Sequence, residues 1–255
     1  MAKYGQGKLE IRTRRIETVW HGAPSFSKAD WHLQLAQDSR LRNSFERAKE
    51  KIDALPRGKR CKIGFESIPQ IGTHNFFTVL ERYALSKGHE VVPLAPPAMY
   101  AKLQGIRTMM LALHVLEKAR LDDPEHTAIY RKEEKKARRI LANKFSSPNF
   151  LHLDFRKLII SRVKENAKLS DKILLALHKH DLDLAFIGGG HGRDIKPFVR
   201  RRIRIDPGLL AEMNELELGI LETLGSESYD RLLLRSLQAR EKLVGRLKNK
   251  AGLNH

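Results

Sequence analysis

The sequence predicts an α/β fold, with a mostly parallel central sheet flanked by helices and a long helical insertion between the third and fourth strands. Three observations lead there. Short apolar runs with β-branched residues alternate with longer amphipathic stretches, which is the order of the βαβ unit. Between 98 and 180 the pattern turns to helical periodicity with no strand in it. The 255 residues, 41% hydrophobic, suffice to bury a substantial core. The expected organisation is a single α/β domain over 1–255, with 98–180 as a helical insertion and 208–255 as C-terminal helices packed on the core.

Each element has its own signal. Leu9 to Trp20 is an extended first segment carrying Ile11, Thr13, Ile16, Thr18 and Val19, and it ends in "HG". Ser27, with Asp30 three residues on, caps a polar helix running to about Leu55, where "PRGKR" breaks it. Cys61 to Ser67 is the second strand. Thr73 caps a helix from His74 to Lys87, and Gly88 occupies the position of a C′ glycine. "HEVVPLA" is the third strand, stopped by the prolines of "PLAPP". Helices follow at Met99–Ala119, Pro124–Lys144, Asp154–Glu165 and Ser170–His180. "LDLAFIGGG" is the fourth strand, and Val199–Pro207 holds a fifth, with Ile203 and Ile205 alternating. The last two helices span about Pro207–Leu224 and Ser228–Lys248, the latter with an inner stripe of Leu232, Leu233, Leu237, Leu243 and Leu247.

Composition narrows the function classes. The formal charge is +18, which favours nucleic acid, anionic surfaces or acidic substrates. Cys61 is the only cysteine, so intrachain disulfides and cysteine-based zinc sites are excluded and a cytoplasmic location is expected. The N-terminus has no apolar core of a secretory signal, and no stretch approaches the ~20 apolar residues of a membrane helix, so no membrane insertion is expected.

The glycine run in "FIGGGHGRD" fits none of the nucleotide or hydrolase signatures. The sixth position from Gly188 is Arg193, which breaks G-x-G-x-x-G; no Gly-Lys-Ser/Thr tail is present, and no serine stands where a nucleophile elbow needs one. A phosphate cradle aided by Arg193 and Lys196, a plain turn, and a histidine presented for chemistry all stay open. Three glycines in succession point to a close approach of something to the backbone, or to unusual dihedrals.

Strand ends supply the candidate site. The first strand finishes at His21, the second at Glu66 and the fourth at His191, each at a carboxyl end, where open α/β sheets place their ligands. Two imidazoles and a carboxylate make a ligand set for a divalent metal ion such as manganese, zinc or cobalt, which would acidify a bound water. Each of the three is equally an ordinary polar residue at a strand end. His74 and Asp194 are supporting candidates, Asp194 as a carboxylate orienting His191. Gly188, Gly189, Gly190 and Arg193 would border the substrate.

The motif Gly188-Gly189-Gly190-His191, the glutamate in "FESIP" and the order strand–His, strand–Glu, long helices, strand–Gly–His resemble the TraB/Tiki superfamily, with its erythromycin-esterase-like and ChaN-like relatives. In "TVWH" Thr18 stands where the first G-x-x-H of that superfamily has glycine. The resemblance implies a metal-dependent hydrolase of peptide or ester bonds, with Glu66 and His191 catalytic and His21, Glu66 and His191 holding the metal. The other expectation is a non-catalytic protein binding nucleic acid or another anion through Arg193, Lys196, Arg200, Arg201, Arg202 and Arg204. No aromatics interleave with these cations to stack on bases.

Overall fold

A computed structural model describes residues 8–21, 28–56, 58–66, 76–96, 98–99, 102–103, 106, 155–205 and 207–252. Within these, strands β1 (Ile16–Val19), β2 (Lys62–Phe65), β3 (Glu90–Pro93) and β4 (Leu184–Gly188) form an all-parallel sheet in the order β1-β4-β2-β3. The helices are α1 (Lys28–Gln37), α2 (Ser39–Asp53), α3 (Phe76–Ser86), α4 (Phe155–Lys179), α5 (Gly189–Ile195), α6 (Pro207–Leu224) and α7 (Ser226–Gly252), with a 3₁₀ turn at Lys196–Phe198. The class is α/β, and a long helix lies between β3 and β4.

All five residues of β4 are buried, as expected of a central strand covered on both faces. Leu184 and Phe186 pack with Ile63, Phe65 and Val19 against Trp31, Phe45, Phe76 and Phe77 of α1, α2 and α3. Ala185 and Ile187, pointing to the other face, pack against Leu169, Ile173, Leu174 and Leu177 of α4 and Ile195 of α5. The stripe Leu41, Phe45, Ala48 and Ile52 gives α2 its buried face at the spacing a helix requires. Gly88 (φ +81°) ends α3, and Gly225 (φ +77°) turns the chain from α6 into α7; both hold the left-handed conformation that glycine adopts without strain.

Several elements differ from the sequence expectation. The helix foreseen from Ser27 to Leu55 is divided at Asp38, whose carboxylate accepts from the backbone N–H of Arg40 (2.9 Å) and Leu41 (3.0 Å) and so caps α2. The two helices expected at Asp154–Glu165 and Ser170–His180 are one, α4, because the apolar stripe keeps its register through the polar "ENAK" between them. Val199–Pro207 is not a fifth strand. Only single parallel bridges form, Leu9 to Val199 and Glu17 to Arg204, since the three consecutive exposed arginines at 200–202 break the two-residue alternation. The first segment is regular only over β1. The caps Ser27 and Thr73 and the helices expected at Met99–Ala119 and Pro124–Lys144 lie outside the described residues, apart from helical positions at 99, 102–103 and 106. Among the described residues, no helix is long and apolar enough to cross a membrane.

Candidate functional site

The strand order makes neighbours of β1, β4 and β2, so their carboxyl ends open onto one edge of the sheet. His21 lies two residues past β1, Glu66 directly follows β2, and α5 begins where β4 stops, carrying His191 in its first turn. Three residues from distant parts of the chain thus share one edge. His191 (6% exposed) and Glu66 (2%) are buried, and His21 is half-buried against the Phe77 ring.

Glu66 is the centre of the cluster. Its Oε2 accepts the backbone N–H of Gly188, and its Oε1 faces His191 Nε2 at 3.3 Å. Burial alone would raise this carboxyl. The His191 imidazole by charge and hydrogen bond, then the charge of His21 and the Gly188 N–H, outweigh burial and hold it down to about 2. Glu66 is therefore an anion at neutral pH, and a poor base.

His191 is held from both sides. Ser170 Oγ lies 2.8 Å from His191 Nδ1 and donates its own proton to Asp194 Oδ2, also at 2.8 Å. A hydroxyl with its proton committed to Asp194 accepts from His191, which places a proton on Nδ1. Glu66 and His191 face each other, both buried, with Nε2 turned to Oε1.

Three of the four glycines are explained by space. None of Gly188, Gly189, Gly190 and Gly192 has positive φ. A Cβ on Gly188 would lie 3.0 Å from Glu66 Oε2 and 3.1 Å from His21 Nε2. One on Gly189 would come within 2.4 Å of Leu209 Cδ2, and one on Gly192 within 2.5 Å of Thr18 Cγ2. Gly190 faces open space. Of the two explanations offered by the sequence, close approach is the right one, and at Gly188 the approaching groups belong to the site. Thr18 packs on Gly192 and donates its hydroxyl proton to the Arg204 carbonyl at 2.8 Å.

Two residues of the network were missed in the sequence. Ser170 (0% exposed) sits on the buried stripe of α4 at the spacing of Ile173, Leu174 and Leu177. Arg240 (2% exposed) interrupts the stripe of α7 between Leu237 and Val244; it donates to Asp171 Oδ1 (2.7 Å) and to the carbonyl oxygens of Asp194 (2.9 Å) and Ala167 (3.3 Å). A polar residue occupying a helix's apolar stripe was the available signal for both. Arg193 turns away from the edge to Glu217 of α6 (2.6 Å), where the Tyr229 hydroxyl also donates. Lys196 is exposed, and His74 lies outside the described residues.

Two imidazoles and a carboxylate suit a divalent cation chemically. As placed, Glu66 Oε2 accepts the Gly188 N–H and Oε1 stands 3.3 Å from His191 Nε2, and among the described residues no three His, Cys, Asp or Glu side chains stand as a metal-binding group. No protein-family profile, curated protein or solved structure matches the chain.

Proposed function

We infer that the protein is a hydrolase of peptide or ester bonds whose water-activating centre is the cluster of His21, Glu66 and His191. The observation that carries this reading is the convergence of two imidazoles on one ionised, buried carboxylate at the carboxyl edge of the sheet. His191, with both ring nitrogens engaged, fixes the charge and position of Glu66. His21 is the half-buried member and takes the role of general base and acid, its imidazolium stabilised by Glu66. Ser170 is not the nucleophile: it is fully buried and lies between His191 and Asp194, so water is the attacking group.

A second reading keeps the hydrolysis and adds a divalent cation, manganese, zinc or cobalt, held by His21, Glu66 and His191. The donor chemistry and the space kept open by Gly188 favour it. Such an ion would supply an acidified water, and the Glu66–His191 contact would have to open to admit it.

The test is turnover of a panel of nitrophenyl esters and fluorogenic peptides by the full chain, before and after chelation and with each of the three metals added. His21→Ala and Glu66→Gln should each lower the rate by about 100-fold or more, with the circular dichroism spectrum unchanged. Chelator-sensitive turnover restored by one metal selects the second reading. No turnover in any condition, or turnover indifferent to both substitutions, overturns the assignment.

A further inference from the structure

The basic segment after α5 gains a partner in the fold that its sequence neighbourhood does not contain. Leu9 N–H donates to the Phe198 carbonyl (2.8 Å), Arg200 N–H to the Leu9 carbonyl (3.1 Å), and the Arg201 guanidinium to the Arg14 carbonyl. With the bridges at Val199 and Arg204, residues 9–17 and 199–204 run side by side along the β1 edge of the sheet. Leu9, Ile11, Thr13, Val199 and Ile203 are turned inward. What faces outward is arginine: Arg12, Arg14 and Arg15 from one segment, and Arg200, Arg201, Arg202 and Arg204 from the other.

The nearby carboxylates do not neutralise this ridge. Asp183 and Glu17 hold Arg14 and Arg15 closely, whereas Arg12–Asp181 (3.9 Å) and Arg200–Glu10 (3.7 Å) are loose pairs with every partner more than 60% exposed. Exposed pairs of that kind contribute little and exchange readily for a better anion. Among the described residues no carboxylate pairs with Arg202 or Arg204.

We propose that this two-segment arginine ridge is a binding surface for the phosphodiester backbone of nucleic acid. Arginine rather than lysine suits phosphate, because the planar guanidinium offers paired donors. At ~3.3 Å per residue the five steps from Val199 to Arg204 give the ridge a length of roughly 16 Å, the scale of a few consecutive phosphates. None of the exposed large hydrophobic residues, Leu33, Leu85, Leu210, Leu218 and Leu234, lies on it, so it lacks the apolar anchor of a membrane-surface site. It has no exposed aromatic to stack on bases, which makes recognition a matter of backbone charge rather than sequence. The proposal stands independently of the hydrolase reading.

The test is fluorescence anisotropy of the full chain with labelled ~20-nucleotide RNA and duplex DNA of two unrelated sequences, from about 50 to 300 mM salt. The expected result is binding at low salt, insensitive to sequence, that weakens steeply as salt rises. The triple variant Arg200→Ala, Arg202→Ala, Arg204→Ala should bind about tenfold or more weakly, and its log–log salt slope should fall by about two to three. A control with the same charge loss elsewhere, Lys51→Ala, Lys59→Ala, Lys172→Ala, should stay within about twofold of the wild type in affinity. Should the triple variant not fold, Arg12→Glu with Arg202→Glu takes its place. The proposal is overturned by absent binding at low salt, by a ridge variant equal to wild type, by a control that loses as much, or by equally tight binding to phosphatidylserine vesicles.

Discussion

At the scale of single residues, the four glycines around His191 do different work, and substitution separates them. Gly190→Ala meets open space in a helical first turn and should leave stability unchanged or raise it by about 0.5–1 kcal/mol. Gly189→Ala and Gly192→Ala collide with Leu209 and Thr18 and should each cost about 1–3 kcal/mol in urea unfolding. Equal effects at all three would contradict the packing. Gly188→Ala pushes on Glu66 and His21 together, so its loss of function should exceed its loss of stability. Glu66 also sets a pH response. Its carboxyl is held at about 2 against an ordinary 4.5, so its ionisation supports the fold fully above pH 4.5. That support disappears as the pH falls through about 2. In Glu66→Gln the acid limb of a stability–pH curve over this window should be flatter than in the wild type. The histidine and glutamate were legible in the sequence because strand ends are marked by punctuation. Ser170 showed only as a polar residue in the apolar stripe of α4, a signal that does not name its partners.

At the scale of elements, α4, α5 and α7 are joined by polar groups as well as by leucines. Arg240 reaches from α7 to Asp171 and Ala167 on α4 and to Asp194 on α5, and through Asp194 and Ser170 the connection continues to His191. Burial holds the Asp171 carboxyl above its ordinary range even though Arg240 opposes it. Removing one partner of such a buried network strands the others. Arg240→Met should cost about 3–5 kcal/mol, measured by denaturant unfolding, and should loosen His191 without touching the strands. A loss below about 1 kcal/mol would mean that the network contributes no more than an exposed pair. The sequence hid this because Arg240 reads as one more cation on a basic helix. It hid the continuity of α4 for a related reason: "ENAK" resembles a break when the residues that keep the apolar register beneath it are not known.

For the molecule as a whole, the parallel class and the succession of strand and helix were legible, because β-branched runs with glycine and proline stops have few other uses. The strand order was not. Local pattern gives which segments are strands, whereas β4's place between β1 and β2 is decided by which faces can be covered on both sides. That order brings three separate strand ends into one cluster. It also brings the 9–17 segment beside 199–204, so seven arginines of a chain that carries a formal +18 share one edge.

The order β1-β4-β2-β3 has a further consequence in time. During synthesis the first and second strands emerge early, yet the ladder that joins them is supplied by Leu184–Gly188, more than a hundred residues later. Until then β1 has no described strand beside it, and β2 has only β3. A ribosome-bound chain halted before Leu184 would carry open edges of the kind chaperones recognise. The same late insertion completes the sheet and delivers His191 to Glu66, so the cluster exists only in a chain that has closed its core.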